Sequence, residues 1–152
     1  MNIFPLRKPA PTILYPRLDA PTARIPLYVS KVPAGAFPSP AEEYIEKLLD
    51  LNELLTPNPI AALFFKAAGE SMRDANIFDG SICAVDRSLV PRHGHIVLAA
   101  IDGEFTVKRL CVIDGVTELH PANPAFKPMR FSECQEVRIV GVVRGVVSKF
   151  AV

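Results

Sequence analysis

The run Ile96-Val97-Leu98-Ala99-Ala100-Ile101-Asp102-Gly103-Glu104-Phe105-Thr106-Val107-Lys108-Arg109-Leu110-Cys111-Val112-Ile113-Asp114-Gly115 decides the fold class. Two apolar stretches flank Asp102-Gly103, and a second Asp-Gly pair closes the longer of them. Asp-Gly between such runs is a strong hairpin signal, because both central residues of a tight I′ turn need positive φ. Working outward, the pattern predicts strands over 62–68, 81–86, 95–101, 104–113, 115–120 and 137–149. The expected architecture is mainly β: a curled, antiparallel domain with an extended N-terminal arm and one short helix. The long apolar stretch Val137 to Val147 reads either as a core strand or as part of a surface for a second subunit.

Upstream the composition changes. Residues 1–39 form a proline-rich arm, and 40–152 the domain proper. Nine of the fifteen prolines fall at Pro5, Pro9, Pro11, Pro16, Pro21, Pro26, Pro33, Pro38 and Pro40. Proline fixes φ and removes a donor, which excludes a helix or a central strand there. Interspersed Ile13, Leu14, Tyr15, Leu27, Tyr28 and Val29 suit an arm lying on the domain surface. Residues 40–55 read as the helix: Ser39 as N-cap, Pro40 at the first position, Glu42 in the first turn. Tyr44, Ile45, Leu48 and Leu49 recur at helical spacing, and Thr56-Pro57-Asn58-Pro59 ends the segment.

A chain of 152 residues, 49% hydrophobic and 22% charged, is ordinary for one globular domain. A net charge of +1, with scattered basic residues, gives no global electrostatic case for nucleic-acid binding. No apolar run reaches the length of a membrane span, and the N-terminus lacks the apolar core of a signal peptide. Cys83, Cys111 and Cys134 are odd in number and form no C-x-x-C pair; Cys83 and Cys111 read as core residues. A reducing cytoplasm is the natural compartment. His93, His95 and His120 lack metal-ligand spacing, so no metal is expected.

The chemistry concentrates in Ala67-Ala68-Gly69-Glu70-Ser71-Met72 and in Lys108. Leu63-Phe64-Phe65-Lys66 reads as strand, Gly69 breaks it, and Ser71-Met72-Arg73-Asp74 opens a helical turn. A serine at such a corner has free backbone N–H groups beside it, suited to a tetrahedral oxyanion. Its hydroxyl is too weakly acidic to attack a carbonyl unaided, and a buried, neutral lysine can take the proton. The same local pattern also describes Ser71 as an N-cap with Asp74 completing a capping box. Lys108 likewise reads either as the base or as a charged guard on a strand edge. Asp74, Asp79, Asp86, Asp102 and Glu104 mostly fall at predicted turns and read as turn formers.

Gly69-Glu70-Ser71-Met72, Asp79-Gly80-Ser81, Val85-Asp86, His93-Gly94-His95-Ile96-Val97 and Asp102-Gly103 through Leu110, in this order, resemble the self-cleaving serine peptidases of the bacterial SOS response. That is the LexA/UmuD family, and the likeness runs from about Phe37 to Val143. The 37-residue spacing of Ser71 and Lys108 suits this family. The resemblance implies a β-domain of the LexA/signal-peptidase type, with Ser71 as nucleophile, Lys108 as general base and backbone N–H groups near Glu70 and Ser71 holding the oxyanion. Members cut an Ala-Gly or Cys-Gly bond upstream of the catalytic domain, which here implies Ala34-Gly35, 36 residues before Ser71. Small residues on both sides let the backbone approach a nucleophile closely.

Further implications are a homodimer, cleavage triggered by a RecA–single-stranded DNA filament, and a UmuC-like Y-family DNA polymerase as partner in translesion synthesis. The resemblance calls for no cofactor, no membrane and no sequence-specific DNA contact. Two alternatives stand beside it. A LexA-like repressor needs a winged helix-turn-helix, for which residues 1–34 are short and proline-rich. A scaffold that binds the polymerase without cleaving needs neither Ser71 nor Lys108.

Overall fold

The strand pattern decides the core in the computed structural model, which describes residues 13–19, 21–28 and 45–151. In chain order the elements are β1 (Ile13–Leu14), β2 (Ile25–Tyr28), β3 (Ile45–Leu49), α1 (Leu51–Leu55), β4 (Ala62–Lys66), a 3₁₀ turn (Arg73–Ala75), β5 (Ile82–Asp86), β6 (Ile96–Ile101), β7 (Glu104–Ile113), β8 (Val116–His120) and β9 (Val137–Val147). Seven strands form one sheet in the order β1-β4-β5-β9-β6-β7-β8, and β2 and β3 form a separate ribbon. Every pairing is antiparallel. All six strands expected from 62 onward are present, shortened by up to two residues at an end. Asp102 and Gly103 take φ 49° and 83°, and Asp114 and Gly115 take 49° and 78°, the positive pair that a I′ turn requires.

Sheet curvature has identifiable causes. Register shifts at Ala84/Val85 against β9 and at Leu98/Ala99 against β9 insert bulges, which bend a strand and increase its twist. Along β6, Leu98 joins one buried cluster with Leu63, Phe65, Met72, Ile77 and Val85, while Val97 and Ala99 join another with Leu110, Leu119 and Val142. Successive side chains point to opposite faces, so β6 is covered on both sides. β9 runs between β5 and β6 with both backbone edges paired, at the middle of the sheet, while most of its side chains are half-buried or exposed. At Gly141 it crosses β5 so closely that a Cβ would stand 2.7 Å from Val85 Cγ1 and 2.8 Å from the Asp86 carbonyl oxygen.

The helix expected over 40–55 is corrected by the structure. Residues 40–44 lie outside the described residues, and Ile45–Leu49 is a strand paired with Ile25–Tyr28 in the register Ile25↔Leu49. Apolar residues at 45, 48 and 49 fit either period over so short a run, and the pairing partner decides between them. The helix that forms is Leu51–Leu55, capped not by Ser39 but by Asp50, whose carboxylate accepts from the Asn52 N–H at 2.7 Å. In the arm, Ile13 and Leu14 pair with Phe65 and Phe64 at the outer edge of β4. Pro26 sits in the two-stranded ribbon, where a missing donor costs least. Among the described residues no helix is long and apolar enough to cross a membrane.

Candidate active site

Ser71 and Lys108 come from opposite halves of the sheet. β4 delivers the chain to Ala67, whose N–H and carbonyl continue the ladder to Ser81 and Gly80. Gly69 then turns with φ +82°, a conformation that favours glycine, and its N–H is fixed by Asp79 Oδ1 at 2.8 Å. Met72 and Ile77, both 3% exposed, anchor the far side of the Ser71 loop in the core. Lys108 lies on β7 opposite Val97 of β6. It falls just before β8 begins to pair at Arg109.

The two side chains meet: Lys108 Nζ lies 2.8 Å from Ser71 Oγ. The amine also donates to Thr106 Oγ1 at 3.1 Å and to the Val107 carbonyl at 2.9 Å. Lys108 is 8% exposed, and among the described residues no carboxylate pairs with it. Burial lowers its pKa from the ordinary lysine value, favouring the free amine. A guard on a strand edge has to be solvated, so that alternative is overturned. The N-cap alternative for Ser71 also fails. The 3₁₀ turn begins after Met72 without a side-chain cap, and the Asp74 carboxylate accepts, among the described residues, only from its neighbour Arg73, at 3.4 Å.

Around the pair lies a cleft of about 140 Å³, walled by Phe65, Ala68, Gly69, Met72, Ile77, Leu98, Phe105 and Val107. Lys66, Ser71, Thr106 and Lys108 also line it, so polar groups share the cleft with these apolar walls. The N–H groups of Glu70 and Ser71 donate to no acceptor among the described residues. Ala34 and Gly35 lie outside the described residues, although Tyr28 and Ile45, which bracket that segment, pair across the ribbon.

Sequence reasoning gave Thr106 no role, although its place on the lysine's face of β7 was legible. It also passed over the segment Pro121-Ala122-Asn123, which holds the serine loop. The Ala122 N–H donates to the Ser71 carbonyl at 2.9 Å, and Asn123 Nδ2 donates to the Glu70 carbonyl at 2.8 Å. No local signal marks that contact, which spans 53 residues. The carboxylates are occupied with backbone donors: Asp79 with Gly69, Asp86 with Ser88, Asp102 with Glu136. Among the described residues no group of three or more His, Cys, Asp or Glu side chains is arranged to hold a metal ion. Cys83 and Cys111 are buried as expected, and burial pushes the Cys83 thiol up to about 11.

A serine hydroxyl against a buried lysine, on a curled antiparallel sheet, defines a class of hydrolase architecture. Residues 26–144 match the family model described as Peptidase S24-like, and the chain belongs to that family. Protein SamA of Salmonella typhimurium is 39% identical over 137 residues, covering 90% of this chain and 94% of its own length. Protein ImpA of Escherichia coli is 43% identical over 132 residues, covering 82% and 83%. The LexA repressor of Bordetella petrii is 39% identical over 120 residues, 78% of this chain and 52% of its own.

Proposed function

We propose that this chain is a UmuD-like, self-cleaving serine peptidase of the SOS response that cuts its own Ala34-Gly35 bond when bound to a RecA–single-stranded DNA filament. Residues 1–39 carry the bond, and 40–152 cut it. Neutral Lys108 takes the Ser71 proton, and Ser71 Oγ attacks the Ala34 carbonyl carbon. N–H groups near Glu70 and Ser71 receive the oxyanion. The C–N bond then breaks, with the proton on Lys108 passing to the Gly35 amine. Water releases the acyl group. The product starting at Gly35 stays dimeric and joins a UmuC-like Y-family polymerase in translesion synthesis.

The observation that carries this reading is the 2.8 Å contact between Lys108 Nζ and Ser71 Oγ, with burial lowering the amine's pKa. A cleft of about 140 Å³ suits a side chain as small as that of Ala34. The backbone also favours an extended substrate. β8 pairs with β7 only from Arg109 onward, so among the described residues Phe105 to Lys108, which line the cleft, have no strand partner on that edge of β7. An extended segment can add there through main-chain hydrogen bonds. Against the repressor alternative, the described residues before Tyr28 hold strands and turns and no helix.

Mass spectrometry of the chain incubated with RecA, a nucleotide and single-stranded DNA tests the proposal, beside Ser71→Ala and Lys108→Ala. A fragment beginning at Gly35, absent from both variants, is the expected result. Cleavage at alkaline pH without a response to RecA would keep the chemistry and remove the trigger. A chain left intact throughout would leave the non-cleaving scaffold.

A further inference from the structure

We propose that Asn123 is a positioning residue for the nucleophile, aiming the Ser71 N–H into the cleft through its hold on the preceding carbonyl. This rests on the peptidase reading above.

Asn123 is 6% exposed, although it belongs to a loop between β8 and β9. A buried amide in a loop needs its hydrogen bonds satisfied, and both ends of this one are. Oδ1 accepts from the Ala125 N–H at 3.0 Å, a local turn bond that fixes the side chain's direction. Nδ2 donates across the cleft wall to the Glu70 carbonyl at 2.8 Å. The same carbonyl takes a second, longer bond from the Arg73 N–H at 3.2 Å.

The geometry follows from the peptide plane. In a trans peptide the C=O and the next residue's N–H point in opposite directions. Tying the Glu70 carbonyl to Asn123 therefore turns the Ser71 N–H away from the 121–125 loop. The peptide after the serine is tied by the same loop, since the Ala122 N–H donates to the Ser71 carbonyl at 2.9 Å. Asp74 completes the attachment by donating its N–H to the Ala122 carbonyl at 2.8 Å. The peptide planes on both sides of Ser71 are thereby held, and with them the direction of Oγ. Within that clamp only Asn123 contributes a side chain; the other bonds are between main-chain atoms, whose donors only a proline would remove.

Misplacing a nucleophile or an oxyanion donor by about 1 Å costs on the order of 10²-fold in rate. The test is the rate of self-cleavage against pH for the full chain, Asn123→Asp and Asn123→Ser, each normalised to its folded fraction by circular dichroism. Aspartate keeps the acceptor for Ala125 and sets an oxygen against the Glu70 carbonyl. Serine keeps a local acceptor and is too short to reach across.

Both variants are expected to lower the alkaline plateau by about 10- to 100-fold, and in the uncharged serine variant the midpoint of the pH profile stays in place, because Lys108 keeps its surroundings. Amide hydrogen exchange at residues 70–72 is expected to quicken in both. Wild-type cleavage with an undiminished plateau in the variants would overturn the assignment and leave the peptidase reading standing. A displaced midpoint in the serine variant would overturn it too, moving Asn123 into the lysine's environment. A wild-type chain that stays intact at every pH would sink both.

Discussion

Two buried charges on neighbouring strands of the sheet are treated in opposite ways. Glu118 on β8 meets the His120 ring at 2.6 Å with one oxygen and the Arg130 guanidinium at 2.7 Å with the other. Its carboxyl is held below the ordinary value, first by the His120 hydrogen bond, against burial, and then by Arg130. Lys108 on β7 is as well buried but, among the described residues, faces only neutral oxygens, those of Ser71, Thr106 and Val107. Its shift comes from desolvation and favours loss of the charge. The fold supports the charge on Glu118 and works against the charge on Lys108. A buried ion with its counter-ions reads as architecture, whereas one without them reads as chemistry.

The largest effect should come from making the charge on Lys108 permanent. Arginine cannot give up its proton in a protein, so Lys108→Arg keeps a cation and removes the base. Self-cleavage is expected to fall on the order of 10³-fold or more and not to recover at high pH. The yield of the Gly35 fragment from pH 7 to 10 measures it. An arginine variant that accelerates in alkali as the wild type does would break the contrast, because the titrating group would then lie elsewhere.

A smaller change should move the titration itself. Wild-type cleavage is expected to rise roughly tenfold per pH unit below the depressed lysine pKa and to level off above it. Thr106 Oγ1 accepts a bond from the amine and so supports its charged form. Thr106→Val removes that support, and the rising limb should shift to lower pH. The plateau should drop about tenfold as the amine loses one of its fixed contacts. A limb that stays put, or moves to higher pH, would mean that Thr106 does not stabilise the ammonium.

Legibility in the sequence followed the range of the interactions. The strands β4 to β9 were readable because alternation and Asp-Gly turns are local facts, and local rules agree with the global fold there. Ser71 and Lys108 each read locally as a cap or an edge residue as well, and it was the ordered motifs shared with a family that singled them out. The segment Ile45–Leu49 was misread because its partner, Ile25–Tyr28, lies about twenty residues upstream in a proline-rich stretch. Asn123 was invisible for the same reason at greater range. Its partner is a carbonyl, and carbonyls leave no mark in a sequence.

Stability should carry the lysine's half of the comparison with a defined sign. Because the folded-state pKa of Lys108 is lowered, the unfolded chain binds the extra proton between that value and the ordinary 10.5. Its burial cost is therefore present in full below the folded-state value and is relieved as pH rises through that window. In a Ser71→Ala background, which prevents cleavage, the lysine protein should gain stability over Lys108→Met with rising pH. The gain approaches at most about 1.4 kcal/mol per pH unit. Urea unfolding at successive pH values measures it, and a difference that shrinks with pH would show that the folded state favours the ammonium after all.

Glu118 should show the opposite dependence, and the smallest effect. Its lowered pKa means that its contribution is fully present above the unfolded value of about 4.3 and disappears as pH falls through the folded one. Glu118→Gln keeps the shape and an acceptor for Arg130, and removes only the charge. The variant is expected to melt at a lower Tm than the wild type at neutral pH. The gap should close as the pH falls through the lowered folded-state value, below which the wild-type carboxyl is itself protonated. Alkaline cleavage by the variant should match the wild type, because β8 meets β7 only beyond Lys108. A Tm gap that persists unchanged in acid would assign Glu118 to packing and remove one side of the contrast.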